Sequence, residues 1–281
     1  MQVDLVQATT HDGVRLDGML QRVATKNASF DGVIFVHGTG GNFYASSLFD
    51  AVGERFLQRG IAVLRVNTRG HDGISNAVTS KGGRRLGAAY ECVDDCRHDL
   101  AAWVDYLKAN VGPRVILAGH SLGAVKSIYA LAQDATINVE RVIAISPPRL
   151  SYSWFCENPE GPRFLESYRQ AEALMQAGTP TALLEVALPL PMVITAAGYV
   201  EKYGPDERYN FLTHLRYVRV PTLLTFGGIE ISNNMAFRGA PEASAALASE
   251  KRPVSVVTIA EADHFYTGKR AELGEAIAGW L

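Results

Sequence analysis

The run Val115-Ile116-Leu117-Ala118 leads into Gly119-His120-Ser121-Leu122-Gly123, and Ala124 to Gln133 continues with helix-forming residues. A strand that turns into a helix within one residue needs glycine on both flanks, because a Cβ there would strike the neighbouring strand or helix. The turning residue takes a strained backbone conformation, and its side chain projects from the end of the sheet. Here that residue is Ser121, so its hydroxyl is a candidate nucleophile. The pattern demands a fold in which a buried strand feeds directly into a helix.

The rest of the chain supplies such a fold. Gly32 to Val36, Ile61 to Val66, Arg114 to Ala118, Arg141 to Ile145, Pro221 to Phe226 and Val254 to Ile259 are short apolar runs, as in strands covered on both faces. Helical spacings separate them. Leu48, Phe49, Val52, Phe56 and Leu57 precede Gly60, and Val93, Cys96, Leu100, Val104 and Leu107 mark an amphipathic helix over Glu91 to Lys108. Leu122 to Gln133, Pro241 to Ser249 and Gly268 to Trp280 read as further helices. Such alternation implies right-handed crossovers and a mostly parallel sheet flanked by helices. Val3 to Thr9 and Val14 to Val23, joined by His11-Asp12-Gly13, predict an antiparallel hairpin at its start. Between Pro147 and Tyr217 the alternation lapses: Arg163 to Gln176 and Asp206 to Leu215 have helical character, no strand stands out, and aromatic residues are frequent. The expected organisation is one α/β domain, residues 1–146 and 218–281, with residues 147–217 inserted as a cap above the carboxyl ends of the strands.

With 47% hydrophobic and 20% charged residues and a formal net charge of −2, the chain can bury a large core and shows no basic footprint for nucleic acid or anionic membranes. No stretch has the length and apolarity of a membrane span. The nearest, Val186 to Val200, is broken by Pro189 and Pro191 and suits a buried or substrate-facing segment. Met1 to Gln7 shows no basic segment leading into an apolar one, so the expected location is cytoplasmic. Cys92, Cys96 and Cys156 lack the histidine support of a zinc site and are expected to be small buried residues, the first two on one helix face. Gly38-Thr39-Gly40-Gly41 lacks the lysine and spacing of a phosphate loop. No cofactor and no metal is therefore expected, and the expected partner is a small neutral or apolar molecule.

The Ser121 elbow stands with His37-Gly38-Thr39-Gly40-Gly41-Asn42, Asn67-Thr68-Arg69-Gly70-His71-Asp72 and Ala262-Asp263-His264-Phe265. Across nearly its whole length the chain thereby resembles the α/β-hydrolase superfamily. Serine is a weak nucleophile near neutral pH; a histidine must take its proton, and an acid must hold that histidine in the right tautomer. In this superfamily the chain order is serine, acid, histidine. The resemblance implies Ser121 as nucleophile and His264 as base, since His264 alone among the histidines follows the last strand pattern. Gly227-Gly228-Ile229-Glu230-Ile231 puts Glu230 on the loop where the family usually carries an aspartate. Glutamate is longer and must fold back to meet the same imidazole nitrogen; Asp263 and Asp206 are the other candidates, Asp263 being expected to brace its loop. An oxyanion hole needs two backbone N–H groups. Leu122 is expected to supply one and Thr39 the other, with Gly40 as second choice. Arg69 is expected to tie loops together, and His120 to be a packed spacer.

The activity implied is hydrolysis of a carboxylic ester of a small or medium apolar molecule through an acyl-enzyme. Thioesterase or acyltransferase chemistry and carbon–carbon bond hydrolysis would use the same triad, and a non-catalytic binding protein on this fold is the alternative of another class. Substrate-binding residues carry no pattern of their own.

Overall fold

The six apolar runs form the parallel part of one eight-stranded sheet in the computed structural model, which describes residues 3–23 and 28–281. Met1 and Gln2, within the amino-terminal stretch read above, lie outside them. Strands β1 (Asp4–Thr9) and β2 (Arg15–Gln21) make the antiparallel hairpin, and β3 (Gly32–Val36) begins the parallel series. Helix α1 (Ser47–Gln58) follows, capped by the Ser46 hydroxyl and ended at Gly60, whose φ of 75° favours glycine. Next come β4 (Ala62–Val66), the hairpin β5 (Ser75–Thr79) and β6 (Gly82–Leu86), and α2 (Cys96–Asn110). Strand β7 (Val115–His120) feeds α3 (Leu122–Gln133), and β8 (Arg141–Ile145) closes this half. Helices α4 (Tyr152–Glu157) and α5 (Gly161–Gln176), strands β9 (Leu183–Val186) and β10 (Met192–Thr195), and helices α6 (Ala196–Tyr203) and α7 (Phe211–Leu215) lie between β8 and the next sheet strand, outside the eight-stranded sheet. The sheet resumes with β11 (Thr222–Gly227), α8 (Gly228–Asn233), α9 (Ala240–Ala245), β12 (Val254–Ile259) and α10 (Arg270–Trp280).

The strand order is β1-β2-β4-β3-β7-β8-β11-β12. Register fixes what stands at the carboxyl edge: Val36 pairs with Gly119, Gly119 with Ala144, and Ile145 with Thr225. The segments beginning at His37, Ser121, Ser146 and Gly228 therefore leave the sheet side by side. Each face is covered by apolar side chains. Trp103, Leu107 and Ile128 of α2 and α3 pack on one, and Phe49, Phe56, Leu273 and Ile277 of α1 and α10 on the other. Phe49 and Phe56 meet Phe35 of β3 with ring centroids 4.8 and 5.8 Å apart, contacts that contribute about 0.5–1.5 kcal/mol each beyond their buried area.

Several elements depart from the sequence reading. The hairpin of β5 and β6 has no apolar alternation; it lies off the main sheet, its second strand exposed from Gly82 to Arg85. A second unread hairpin, β9 with β10, lies in the segment where no strand stood out, since it too is outside the main sheet. Cys92 does not share a helix face with Cys96: a tight turn over Val93–Asp95 precedes α2. Cys96 is buried, but Cys92 and Cys156 are only half-buried, and the Cys92 thiol donates to Glu201 Oε1 at 3.3 Å. The helix expected from Asp206 starts only at Phe211, where the Asn210 side chain caps it.

Candidate active site

Ser121 sits between the last residue of β7 and the first of α3 with φ 56° and ψ −125°, a conformation costing a non-glycine residue about 1–3 kcal/mol. Its N–H is held by Ile145 O at 2.8 Å. The flanking glycines are needed for space: a Cβ at Gly119 would lie 2.2 Å from Gly123 O, and one at Gly123 would lie 2.2 Å from Val36 O. A Cβ at Gly38 would come within 2.9 Å of the Ser121 Cβ, so the His37 loop can pass the nucleophile candidate only as glycine.

The chain after β11 turns at once into α8, so Glu230 stands in the first turn of a short helix and not on a loop. The reason is local: its carboxylate folds back, and Oε1 accepts the Gly227 N–H at 2.6 Å as a cap. That fold-back brings Oε2 to 2.7 Å from His264 Nδ1. Oε1 also accepts the Ser146 hydroxyl at 2.5 Å, and Ser146 Oγ and Thr225 Oγ1 each lie 3.0 Å from the Tyr266 hydroxyl. Glu230, Ser146, Thr225 and Tyr266 are all buried. Burial, with Glu230 alongside, pushes the Tyr266 phenol up, so it stays protonated and able to donate. Ser121, Ser146 and Tyr266 are three of six non-glycine residues with positive φ among the described residues. Such strain persists only where the surroundings over-determine it.

Asp263 Oδ1 accepts the N–H groups of Phe265 and Thr267 at 2.9 and 2.8 Å, which braces the loop that carries His264. Asp206 is exposed and makes no ion pair with His264. His120 packs 4.7 Å from the His264 ring and hydrogen-bonds His264 O through Nε2 at 2.8 Å. Burial, together with the neighbouring His264, pushes its pKa down to about 3, leaving it a neutral spacer. His37 is also neutral, its pKa pushed down to about 3 chiefly by burial; Nε2 accepts Thr68 N–H at 3.0 Å.

Ser121 and His264 line one cavity of about 980 Å³, together with Thr39. A narrow slot of about 60 Å³ also borders Ser121 and His264; Thr39, Leu122, Pro148, Leu150 and Phe237 are among its walls. Among the described residues no hydrogen bond joins Ser121 Oγ to His264. Such contacts are often loose without substrate and tighten when it binds. The backbone N–H groups of Thr39 and Leu122 likewise have no acceptor among the described residues, although both residues line the slot. Two unoccupied donors beside a hydroxyl can bind an oxyanion. No group of His, Cys, Asp or Glu among the described residues is arranged to hold a metal ion.

Of the buried polar groups around the Ser121, Glu230 and His264 positions, sequence reading found His120 and Arg69 but not the others. The Arg69 guanidinium is 1% exposed and pairs with Asp12, Asp95 and Asp99 at 2.8–3.0 Å, joining the β1–β2 turn to the start of α2. Lys126 of α3 forms an ion pair with Glu91, and Lys202 of α6 lies 3.6 Å from that same carboxylate. Burial alone would raise the Glu91 carboxyl, but Lys126 and Lys202 beside it hold it below its ordinary value. A buried cation thus links the inserted segment to the helix behind Ser121. Lys126 and Lys202 are charged residues in helical stretches, and nothing local marks them as buried.

The family model described as "Alpha/beta hydrolase family" matches residues 33–276. No curated protein matches the sequence. Among solved structures, the chain is similar to Est1E from Butyrivibrio proteoclasticus with ferulic acid bound: 20% identity, TM-score 0.66, 98% of this chain and 97% of that one. It is also similar to the esterase domain of a Rhodothermus marinus protein: 20% identity, TM-score 0.62, 100% of this chain and 98% of that one. A third is the Pyrococcus furiosus esterase Pf2001: 20% identity, TM-score 0.59, 100% of this chain and 92% of that one. At these identities the likeness is one of fold.

Proposed function

The chain belongs to the alpha/beta hydrolase family, and from that premise we propose that it is a serine esterase working through an acyl-enzyme. Ser121 Oγ attacks the ester carbonyl while His264 takes its proton, and the N–H groups of Thr39 and Leu122 receive the developing oxyanion. The protonated imidazole then gives its proton to the leaving alkoxide as the carbon–oxygen bond breaks. Water repeats the sequence on the acyl-enzyme, releasing the acid and restoring Ser121. Glu230 keeps the Nδ1 proton of His264 in place and stabilises the imidazolium. The observation that carries this reading is the 2.7 Å contact from the buried Glu230 carboxylate to His264, which lines the same cavity as the strained Ser121.

Residues 147–217 act in this reading as a cap, since Pro148, Leu150, Leu190 and Tyr203 wall the slot. No helix among the described residues is long and apolar enough to cross a membrane. Three free thiols favour a reducing compartment, and we place the protein in the cytoplasm on that ground. The slot suits a short acyl group and the larger cavity a bulkier leaving group. In a p-nitrophenyl ester series, turnover is expected to peak by butyrate and to fall at least roughly tenfold by octanoate, because a misfitting methylene costs about 1–3 kcal/mol. A profile that stays flat or rises to decanoate would put the acyl chain in the larger cavity. Absence of both turnover and fluorophosphonate labelling would reject the esterase reading.

The oxyanion assignment has a separate test. Thr39→Ala keeps the backbone donor and is expected to retain most activity, whereas Thr39→Pro removes the N–H and should lose on the order of a hundredfold in kcat. Equal activity in the two variants would move the donor elsewhere in the loop.

A further inference from the structure

Arg270, the first residue of α10, lines the 980 Å³ cavity, and apart from histidines it is the only charged side chain among the described residues that does. Its Nε donates to Phe265 O at 3.3 Å, while its two terminal nitrogens have no acceptor among the described residues. The acids of the neighbouring elements are engaged elsewhere. Asp50 of α1 pairs with Arg65, Glu275 of α10 with Arg55, and Glu272 and Glu261 with Lys269. The cavity that Arg270 lines also has apolar walls at Leu48, Phe49 and Phe265 and neutral polar groups such as Asn42 and Thr267. A half-buried guanidinium with its fork unpaired, facing a cavity large enough for a drug-sized molecule, is suited to bidentate capture of a carboxylate.

We propose that Arg270 selects esters whose leaving group carries a carboxylate at the end remote from the scissile bond. The inference rests on the esterase reading and on the short acyl group occupying the slot, which Arg270 does not line. The substrate class is a short-chain acyl ester of a hydroxy acid with an apolar, aryl-sized body. The body lies on the Leu48, Phe49 and Phe265 walls and the carboxylate meets the guanidinium. This replaces the purely apolar molecule expected from sequence with an amphipathic one.

The test uses para-acetoxybenzoate and para-acetoxyphenylpropanoate, each against its primary amide, with the purified full chain and its Arg270→Gln and Arg270→Lys variants. In the wild type, kcat/KM for at least one carboxylate is expected to exceed that of its amide by roughly tenfold, the difference lying mainly in KM. The amide is the intrinsically better leaving group, so chemistry alone biases the ratio the other way. In Arg270→Gln the ratio should collapse, Arg270→Lys should keep part of it, and added salt should lower it in the wild type, as screening of a half-exposed pair requires. An unchanged ratio in Arg270→Gln, or no carboxylate preference in an enzyme that hydrolyses the amides, overturns the inference and leaves the esterase reading standing. Failure of all four esters together with absent fluorophosphonate labelling would sink both.

Discussion

Ser121→Ala is expected to abolish covalent labelling by a fluorophosphonate and to lower kcat by on the order of 10⁴-fold or more, with the fold retained. The size of the expected effect follows from the proposed role of Ser121 as the group that forms the acyl-enzyme; in that reading the N–H groups of Thr39 and Leu122 and binding alone would sustain only residual hydrolysis. Retention of the fold follows from the structure, because alanine keeps the Cβ that passes Gly38, and the Ser121 hydroxyl has no hydrogen-bond partner among the described residues. The other serines that could be labelled are committed. Ser146 donates its hydroxyl to Glu230, and Ser127 donates to Gly123 O at 2.8 Å; both are buried. Mass-spectrometric mapping of the adduct checks this, and a label on Ser146 or Ser127 would remove Ser121 from its assigned role.

Glu230→Gln is expected to lower kcat by on the order of 10⁴-fold at neutral pH while conserving side-chain size. The physical reason lies in the donors already aimed at this carboxylate. Gly227 N–H and the Ser146 hydroxyl both point at Oε1, so an amide must turn its oxygen toward them or leave a buried donor facing another donor, at about 1–3 kcal/mol. With the oxygen so placed, the NH₂ faces His264 Nδ1 and forces the proton onto Nε2, the nitrogen that in the proposed mechanism accepts the proton from Ser121. Glu230→Asp keeps the charge but shortens the reach, so partial activity is expected. Asp263→Asn should change little, because the Oδ1 that accepts Phe265 N–H and Thr267 N–H survives. Turnover of one activated ester by the three variants, with folding followed by circular dichroism, decides the matter. Near-normal rates for Glu230→Gln beside collapse of Asp263→Asn would transfer the acid role to Asp263.

The elbow, the six parallel strands and the helices between them were legible in the chain because each depends on short-range order. Gly119 reserves space for Gly123, four residues on, and runs such as Gly32–Val36 and Val254–Ile259 follow from apolar residues adjacent in sequence. The location of His264 after the last strand and of Glu230 after β11 could be read for the same reason, as positions along the chain. The hairpins β5–β6 and β9–β10 could not be, since both lie off the main sheet and bury only scattered side chains, such as Leu86, Val186 and Ile194, too few to impose a strand-long alternating pattern. What only the tertiary structure decided is which side chains meet. Ser146 lies 84 positions from Glu230, and Tyr266 lies 120 from Ser146, yet register at the carboxyl edge of the sheet puts all three in one hydrogen-bonded cluster. Whether a charge is neutralised is equally non-local: Lys126 finds Glu91 in the interior, whereas Arg270 reaches the cavity with its fork unpaired. Sequence patterning records how strongly a residue avoids water, but a partner for a buried or half-buried polar group comes from a distant segment, and the packing of the sheet and its insertion selects that segment.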